Sequence, residues 1–198
     1  MKTYVASRNA GKLRELKAIF AKSELQLGTY RKYADVLEVA GSYAGNAMLK
    51  AQTLADALRE AGVAAAALAD DSGLEVDALG GRPGVYSARF GGPDMEWPQR
   101  RIALLDELRG FPPYRRAARF VCALVLIEPG REPLVATGSV GGFILEAERG
   151  TGGFGYDTLF LYPPRGVSFA TLSEKEKNAV SHRRRAADAL LAMLRERA

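Results

Sequence analysis

Asp70 and Asp71 follow the apolar run Val63 to Ala69 and precede Ser72 and Gly73. In an α/β sheet, ligands gather at the carboxyl ends of strands, and paired acids there form a hard-oxygen site of the kind magnesium takes. Side chains alternate along a regular strand, so the two acids cannot both face one ligand; one binds and the other is structural. The Asp-Ser-Gly run also suits an ordinary turn.

Ser7-Arg8-Asn9-Ala10-Gly11-Lys12 lies between a predicted strand and a predicted helix. Backbone N–H groups at a helix start lack intrahelical acceptors and carry partial positive charge, so this turn has the outline of an anion cradle, with Ser7, Asn9 and Lys12 as added donors. It is not a Walker A loop: the glycine five positions before Gly11 is missing, and Leu13 follows Lys12. The alternative is an ordinary connection in which Asn or Gly merely permits the turn. In Gly150-Thr151-Gly152-Gly153-Phe154-Gly155-Tyr156-Asp157, glycines permit close backbone approach, Phe154 and Tyr156 supply aromatic faces, and Asp157 supplies an acceptor. That set suits a nucleobase. Its Gly-x-Gly-x-x-Gly spacing is not a dinucleotide fingerprint, because the following Thr158 to Tyr162 reads as extended rather than helical. The basic run Lys175 to Arg185 reads either as a solvated helix face or as a phosphate grip using one lysine, His182 and Arg183.

Elements that would position these residues follow from periodicity and caps. A first strand is expected over Thr3 to Ser7 and a helix over Lys12 to Phe20. A second helix runs from about Tyr43 to Ala61, closed by Gly62, and the Val63 to Ala69 strand ends at Asp70 to Gly73. Gly80 to Pro93, rich in glycine and proline, is a long shaped loop, of the sort that is often functional. A helix from about Asp94 to Leu108 precedes a hairpin of Ala117 to Glu128 and Leu134 to Ala147. Ser173 and Glu176 form a capping-box pattern that opens a final helical region. The fold class is α/β with a mixed sheet, in one domain over residues 1–198, with room for two lobes.

The chain's 198 residues, 47% hydrophobic and 26% charged, suit a globular fold rather than a disordered or fibrous one. Neither a membrane span nor a signal peptide is evident, so a cytoplasmic location is expected. A single Cys122 and a single His182 exclude an internal disulfide, thiolate zinc sites and poly-histidine metal centres, leaving oxygen as the ligand for any metal. The net charge of +5 invites a polyanion without choosing among nucleic acid, membrane surface and phosphate compound.

In order along nearly the whole chain, six segments resemble the inosine triphosphate pyrophosphatase (Ham1-like) family. They are Ser7 to Lys12; Glu38, eight residues before Asn46-Ala47-Met48-Leu49-Lys50-Ala51; Ala69 to Leu74; Gly84 to Arg89; Gly152 to Asp157; and Glu176 to Arg183. The resemblance implies an elongated mixed β-sheet flanked by helices, in two lobes with a central cleft. It also implies Mg2+-dependent hydrolysis of ITP, dITP and XTP to the monophosphate and pyrophosphate, usually in a homodimer, with no membrane or specific nucleic-acid partner. By position, Ser7, Arg8, Asn9, Ala10, Gly11 and Lys12 would bind the triphosphate, and Glu38 and Asp71 would hold magnesium, Asp71 also accepting the proton. Ser72, Phe154, Gly155, Tyr156, Asp157, Lys177, His182 and Arg183 would complete the substrate pocket. A metal-bound acid loses basicity, so the two roles of Asp71 compete unless its oxygens divide them.

Helical geometry adds a test. A continuous helix puts Lys175 on the face of His182 and Lys177 roughly 140° away. If Lys177 is the ligand, the helix breaks near Ser181; a straight helix through residues 173–190 favours Lys175. Two rival functions are a Maf-like pyrophosphatase acting on other modified nucleotides and a basic nucleic-acid-binding module, the latter expected to show salt-steep affinity without turnover.

Overall fold

The computed structural model describes residues 1–197. Strand β1 (Lys2–Ala6) leads into α1 (Ala10–Phe20), then β2 (Gln26–Thr29), α2 (Tyr43–Glu60), β3 (Ala66–Val76), β4 (Pro83–Gly84) and α3 (Trp97–Glu107). After these come β5 (Ala117–Ile127), β6 (Leu134–Ile144), β7 (Phe160–Tyr162), β8 (Val167–Ser168), α4 (Glu174–Val180) and α5 (His182–Arg197). The strands form one mixed sheet in the order β2-β1-β3-β5-β6-β7-β8, with β4 paired to β3. No helix among the described residues is long and apolar enough to cross a membrane.

Caps define the helix starts. Asn9 accepts the Lys12 amide, Ser42 accepts the Gly45 amide, and Ser173 and Glu176 close the expected capping box at α4. α2 stops where Gly62 takes φ +68°, a left-handed conformation natural to glycine.

The chain divides into two compact units. The first holds residues 1–71, 122–138 and 182–198; the second holds 72–121 and 139–181. In the first, β1 runs parallel to both β2 and β3. Leu16, Phe20, Leu68, Leu124 and Leu190 form part of one apolar core, while Ala47, Ala51, Leu54, Ala67 and Val125 belong to another. Each fully buried leucine or phenylalanine contributes about 1.5–3 kcal/mol. Gly138 lets β6 meet α5: a Cβ there would lie 2.2 Å from the Ala186 amide nitrogen and 2.5 Å from the His182 carbonyl oxygen. In the second unit β4, β7 and β8 make antiparallel pairs, over a core that includes Leu74, Leu104, Phe120, Phe160 and Phe169.

Several strand expectations change, and one alternative for the last helical region is realised. The strand expected to end at Asp70 to Gly73 runs on to Val76, because helix-borne side chains neutralise both acids and Leu74 and Val76 continue the buried pattern. β6 stops at Ile144, three residues early, and β2 is an unforeseen parallel partner for β1. The helical region after Ser173 is broken: Ser181 is extended at φ −69°, ψ 162°, and α5 starts at His182. That break is the geometry that favours Lys177, which is buried while Lys175 is exposed.

Candidate active site

In the first unit, the register of β1 on β3 pairs Ala6 with Ala69, so the chain leaving β1 emerges beside Asp70 and Asp71. Ser7 Oγ accepts the Asn9 amide (3.2 Å) and Asn9 Oδ1 accepts the Lys12 amide (3.0 Å). Ala10 and Gly11 occupy the first turn of α1, where backbone amides have no intrahelical acceptor. Lys12 reaches across to Asp70 Oδ1 at 2.5 Å. Arg8 turns elsewhere, donating to Asp35 (2.7 Å) and lying over the Tyr33 ring.

Asp70 is the structural member of the pair. Its Oδ2 accepts from Arg183 Nε (3.0 Å) and from the Cys122 thiol (3.1 Å), and Arg183 Nη1 continues to Glu15 Oε2 (2.8 Å). Burial pushes the Asp70 carboxyl pKa up, but Arg183 and Lys12 more than reverse this and hold it well below the usual carboxylate range. Burial likewise opposes the Arg183 charge, and Asp70 and Glu15 restore it. The Cys122 thiol is pushed well up, by burial first and by Asp70 second.

Asp71 faces a different set of groups. Its Oδ1 accepts from Lys50 Nζ at 2.8 Å and its Oδ2 from Asn46 Nδ2 at 3.1 Å. The same ammonium binds Glu38 Oε1 at 2.6 Å, so the carboxylates of Glu38 and Asp71 converge on one cation. Asn46 Oδ1 accepts the Ala40 amide (3.0 Å), which ties the segment carrying Glu38 to α2. Burial raises the pKa of Asp71 above that of an ordinary aspartate, against the opposing pull of Lys50 and Lys12. Lys50 is raised as well: burial lowers it, and Asp71 and Glu38 outweigh that.

Two hard-oxygen carboxylates already gathered on one positive charge fit magnesium, which commonly takes one or two carboxylates and completes its shell with phosphate oxygens. Among the described residues no group of three or more His, Cys, Asp or Glu gathers as a metal site. Residue types alone single out neither Lys50 nor Asn46. The signals were the family-like segment Asn46 to Ala51, to which no site role was given, and the i, i+4 spacing of Asn46 and Lys50 beside Ala47 and Ala51.

His182 and Arg183, at the start of α5, are both buried in this unit, at 2% and 3% exposure.

The second unit carries Ser72, half-buried on β3, and the glycine loop. Asp157 closes that loop: its Oδ2 accepts the Phe154 amide (2.8 Å) and pairs with the Lys177 ammonium. Gly153, at φ +70°, leaves the space this carboxylate fills. Lys177 Nζ also lies 4.8 Å from the Phe154 ring centroid. Phe154 is half-buried and can offer a face to a flat ligand, whereas Tyr156 cannot, correcting the expectation of two aromatic faces. The Tyr156 ring is 2% exposed and packs edge-on against Trp97 at 5.3 Å, and its hydroxyl donates to the Ser87 carbonyl (3.1 Å). Gly155 is buried beside it, its carbonyl accepting from Arg101 (3.1 Å).

The sequence model described as the Ham1 family matches residues 3–193. A protein of Geobacillus kaustophilus named dITP/XTP pyrophosphatase is 45% identical over 185 residues, covering 92% of this chain and 88% of the relative. Among solved structures, the Ham1 protein of Staphylococcus aureus aligns over 100% of both chains with a TM-score of 0.85 and 35% identity. A HAM1 protein from Coxiella burnetii aligns over 99% of both, also with a TM-score of 0.85, at 34% identity.

Proposed function

The chain belongs to the Ham1 family, and from that premise we propose that it hydrolyses the deaminated purine nucleoside triphosphates ITP, dITP and XTP to the monophosphate and pyrophosphate. The observation that carries this reading is the convergence of Glu38 and Asp71 on one cation, next to a lysine-bearing helix start suited to phosphate.

In this reading Ser7 and Asn9 to Lys12 hold the triphosphate, while Arg8, included by the resemblance, is turned toward Asp35 and Tyr33. The Asn9 cap orients the first turn of α1, and Lys12 neutralises charge that builds on the leaving pyrophosphate. Glu38 and Asp71 would hold Mg2+, which when bound supplies charge neutralisation to the phosphates. Water attacks the α-phosphorus, its proton passes to Asp71, and the bond from the α-phosphorus to the bridging oxygen breaks to release pyrophosphate. Burial raises the basicity of Asp71 in the metal-free site, which suits a proton acceptor, and dividing its two oxygens between metal and water would reconcile that role with metal binding. Lys50 and Asn46 hold that carboxylate and Glu38 in register.

The glycine loop serves the base. Phe154 stacks on the purine, while Gly155, Asp157 and Lys177 present and stiffen the backbone that reads its edge. A 6-oxo purine and adenine exchange donor for acceptor at that edge, and a pocket built for one leaves buried groups unpaired with the other. Ser72, His182 and Arg183 complete the substrate set by resemblance. Function as a cytoplasmic homodimer rests on the same resemblance.

The test is phosphate release after added inorganic pyrophosphatase, over ITP, dITP, XTP, GTP, ATP and UTP with magnesium. Turnover of the first three well above the rest is expected. Preference for UTP or another pyrimidine nucleotide, or salt-steep nucleic-acid binding without turnover, would overturn the reading.

A further inference from the structure

The glycine loop, closed from within by Asp157, is also held from outside. α3 is fastened first, by Arg100, which is buried and donates to the carbonyls of Phe90 (2.8 Å), Gly92 (2.7 Å) and Pro93 (3.0 Å). These carbonyls lie in and beside the glycine- and proline-rich segment that the proposed reaction leaves without a role. From that fixed helix, Trp97 and Arg101, one turn apart and so on one face, reach the loop. Arg101 Nη1 donates to the Gly155 carbonyl, and its Nε lies 2.9 Å from Glu148 Oε2, so one guanidinium holds the loop near its entry and its middle. Trp97 packs edge-on against Tyr156 and covers Gly155, where a Cβ would stand 3.5 Å from the indole at a left-handed φ of +65°. The Tyr156 hydroxyl, bonded to the Ser87 carbonyl, pins the far side.

We propose that Trp97 and Arg101 are positioning residues for base selectivity: they set the backbone of Gly155 and Tyr156, and through it the face that Phe154 and its neighbouring backbone present to the purine. The inference rests on the loop's base-reading role proposed above. Neither side chain contacts the phosphates or the metal ligands in this scheme. Selectivity between hydrogen-bonding edges depends on geometry held within roughly 0.5 Å, so loosening the support damages discrimination before it damages chemistry.

The experiment measures kcat and KM for ITP and ATP in Trp97→Leu, Arg101→Met, Arg101→Lys and, as a control on the loop itself, Phe154→Ala. Trp97→Leu and Arg101→Met are expected to cut the ITP-to-ATP ratio of kcat/KM roughly tenfold, chiefly through a raised KM for ITP. Arg101→Lys, which keeps a charge and a donor, should recover part of that ratio. A ratio unchanged in both Trp97→Leu and Arg101→Met while Phe154→Ala raises KM for both purines would overturn the proposal and leave the loop's contact with the base standing. A KM unchanged for both ITP and ATP in Phe154→Ala would instead remove the loop's contact with the base and the inference with it. An equal loss of kcat on both substrates would assign the pair a structural role alone and also overturn the proposal. If Arg101→Met does not fold, Arg101→Gln carries the same measurement.

Discussion

Replacing Arg183 by Met tests how far its ion pairs brace the fold, apart from any part it takes in binding substrate. The guanidinium is 3% exposed and joins two carboxylates, Asp70 at 3.0 Å and Glu15 at 2.8 Å. Removing one partner of a buried ion pair costs about 3–5 kcal/mol, because the charge left behind stays desolvated. Two acids lose a partner here, but Asp70 keeps Lys12 at 2.5 Å and the Cys122 thiol, so the cost should not double. For a chain of this size each kcal/mol moves the unfolding midpoint by about 2–4 °C, which puts the expected drop at roughly 6–20 °C. Circular dichroism during heating at neutral pH reads it directly. Adding Glu15→Leu to Arg183→Met should then restore part of the loss, since it removes the stranded carboxylate and leaves an apolar pair. A midpoint within about 3 °C of the parent for Arg183→Met, or a double variant less stable than the single one, would refute the reasoning.

Asp71→Asn should nearly abolish pyrophosphate release from ITP, and substantial residual turnover at saturating magnesium would count against a proton-accepting role. Glu38→Gln should raise the magnesium concentration needed for half-maximal rate by roughly tenfold, on the scale seen when the shell of a metal site is weakened, as a magnesium titration would show. Gly138→Ala should destabilise the fold by about 1–3 kcal/mol or prevent folding, because the new methyl meets backbone of α5 that cannot swing aside; urea denaturation measures it. Cys122, buried and with its thiol pKa raised well above the ordinary value, should not react with Ellman's reagent at about pH 8 in the native protein and should react fully once the chain is denatured.

The local signals account for most of the elements. Asn9, Ser42 and the Ser173/Glu176 pair start helices where a capping side chain was legible, and Gly62 ends one where a left-handed residue was. Pattern also separated Asp70 from Asp71, since strand alternation alone sends them to opposite faces, and helix periodicity tied the Lys177 alternative to a break near Ser181, where the structure has one. The end of β3 was misread because two charges in a row look like a turn until their counter-charges are known. Tyr156 was misread because an aromatic among glycines looks exposed until Trp97 is seen against it.

Residue order determined the family, the chemistry available to the chain and the helix starts, because capping, alternation and short motifs are properties of neighbours along the chain. Which charges meet was decided only by the tertiary structure. Lys12 meets Asp70 because parallel strands in one register set Ala6 beside Ala69, and Arg183 meets Glu15 across 168 residues of sequence. Lys50 joins Glu38 to Asp71 because packing aims one face of α2 at the strand carrying Asp71. Periodicity names the face a side chain occupies, but its partner, and with it burial and basicity, depends on which element packs there.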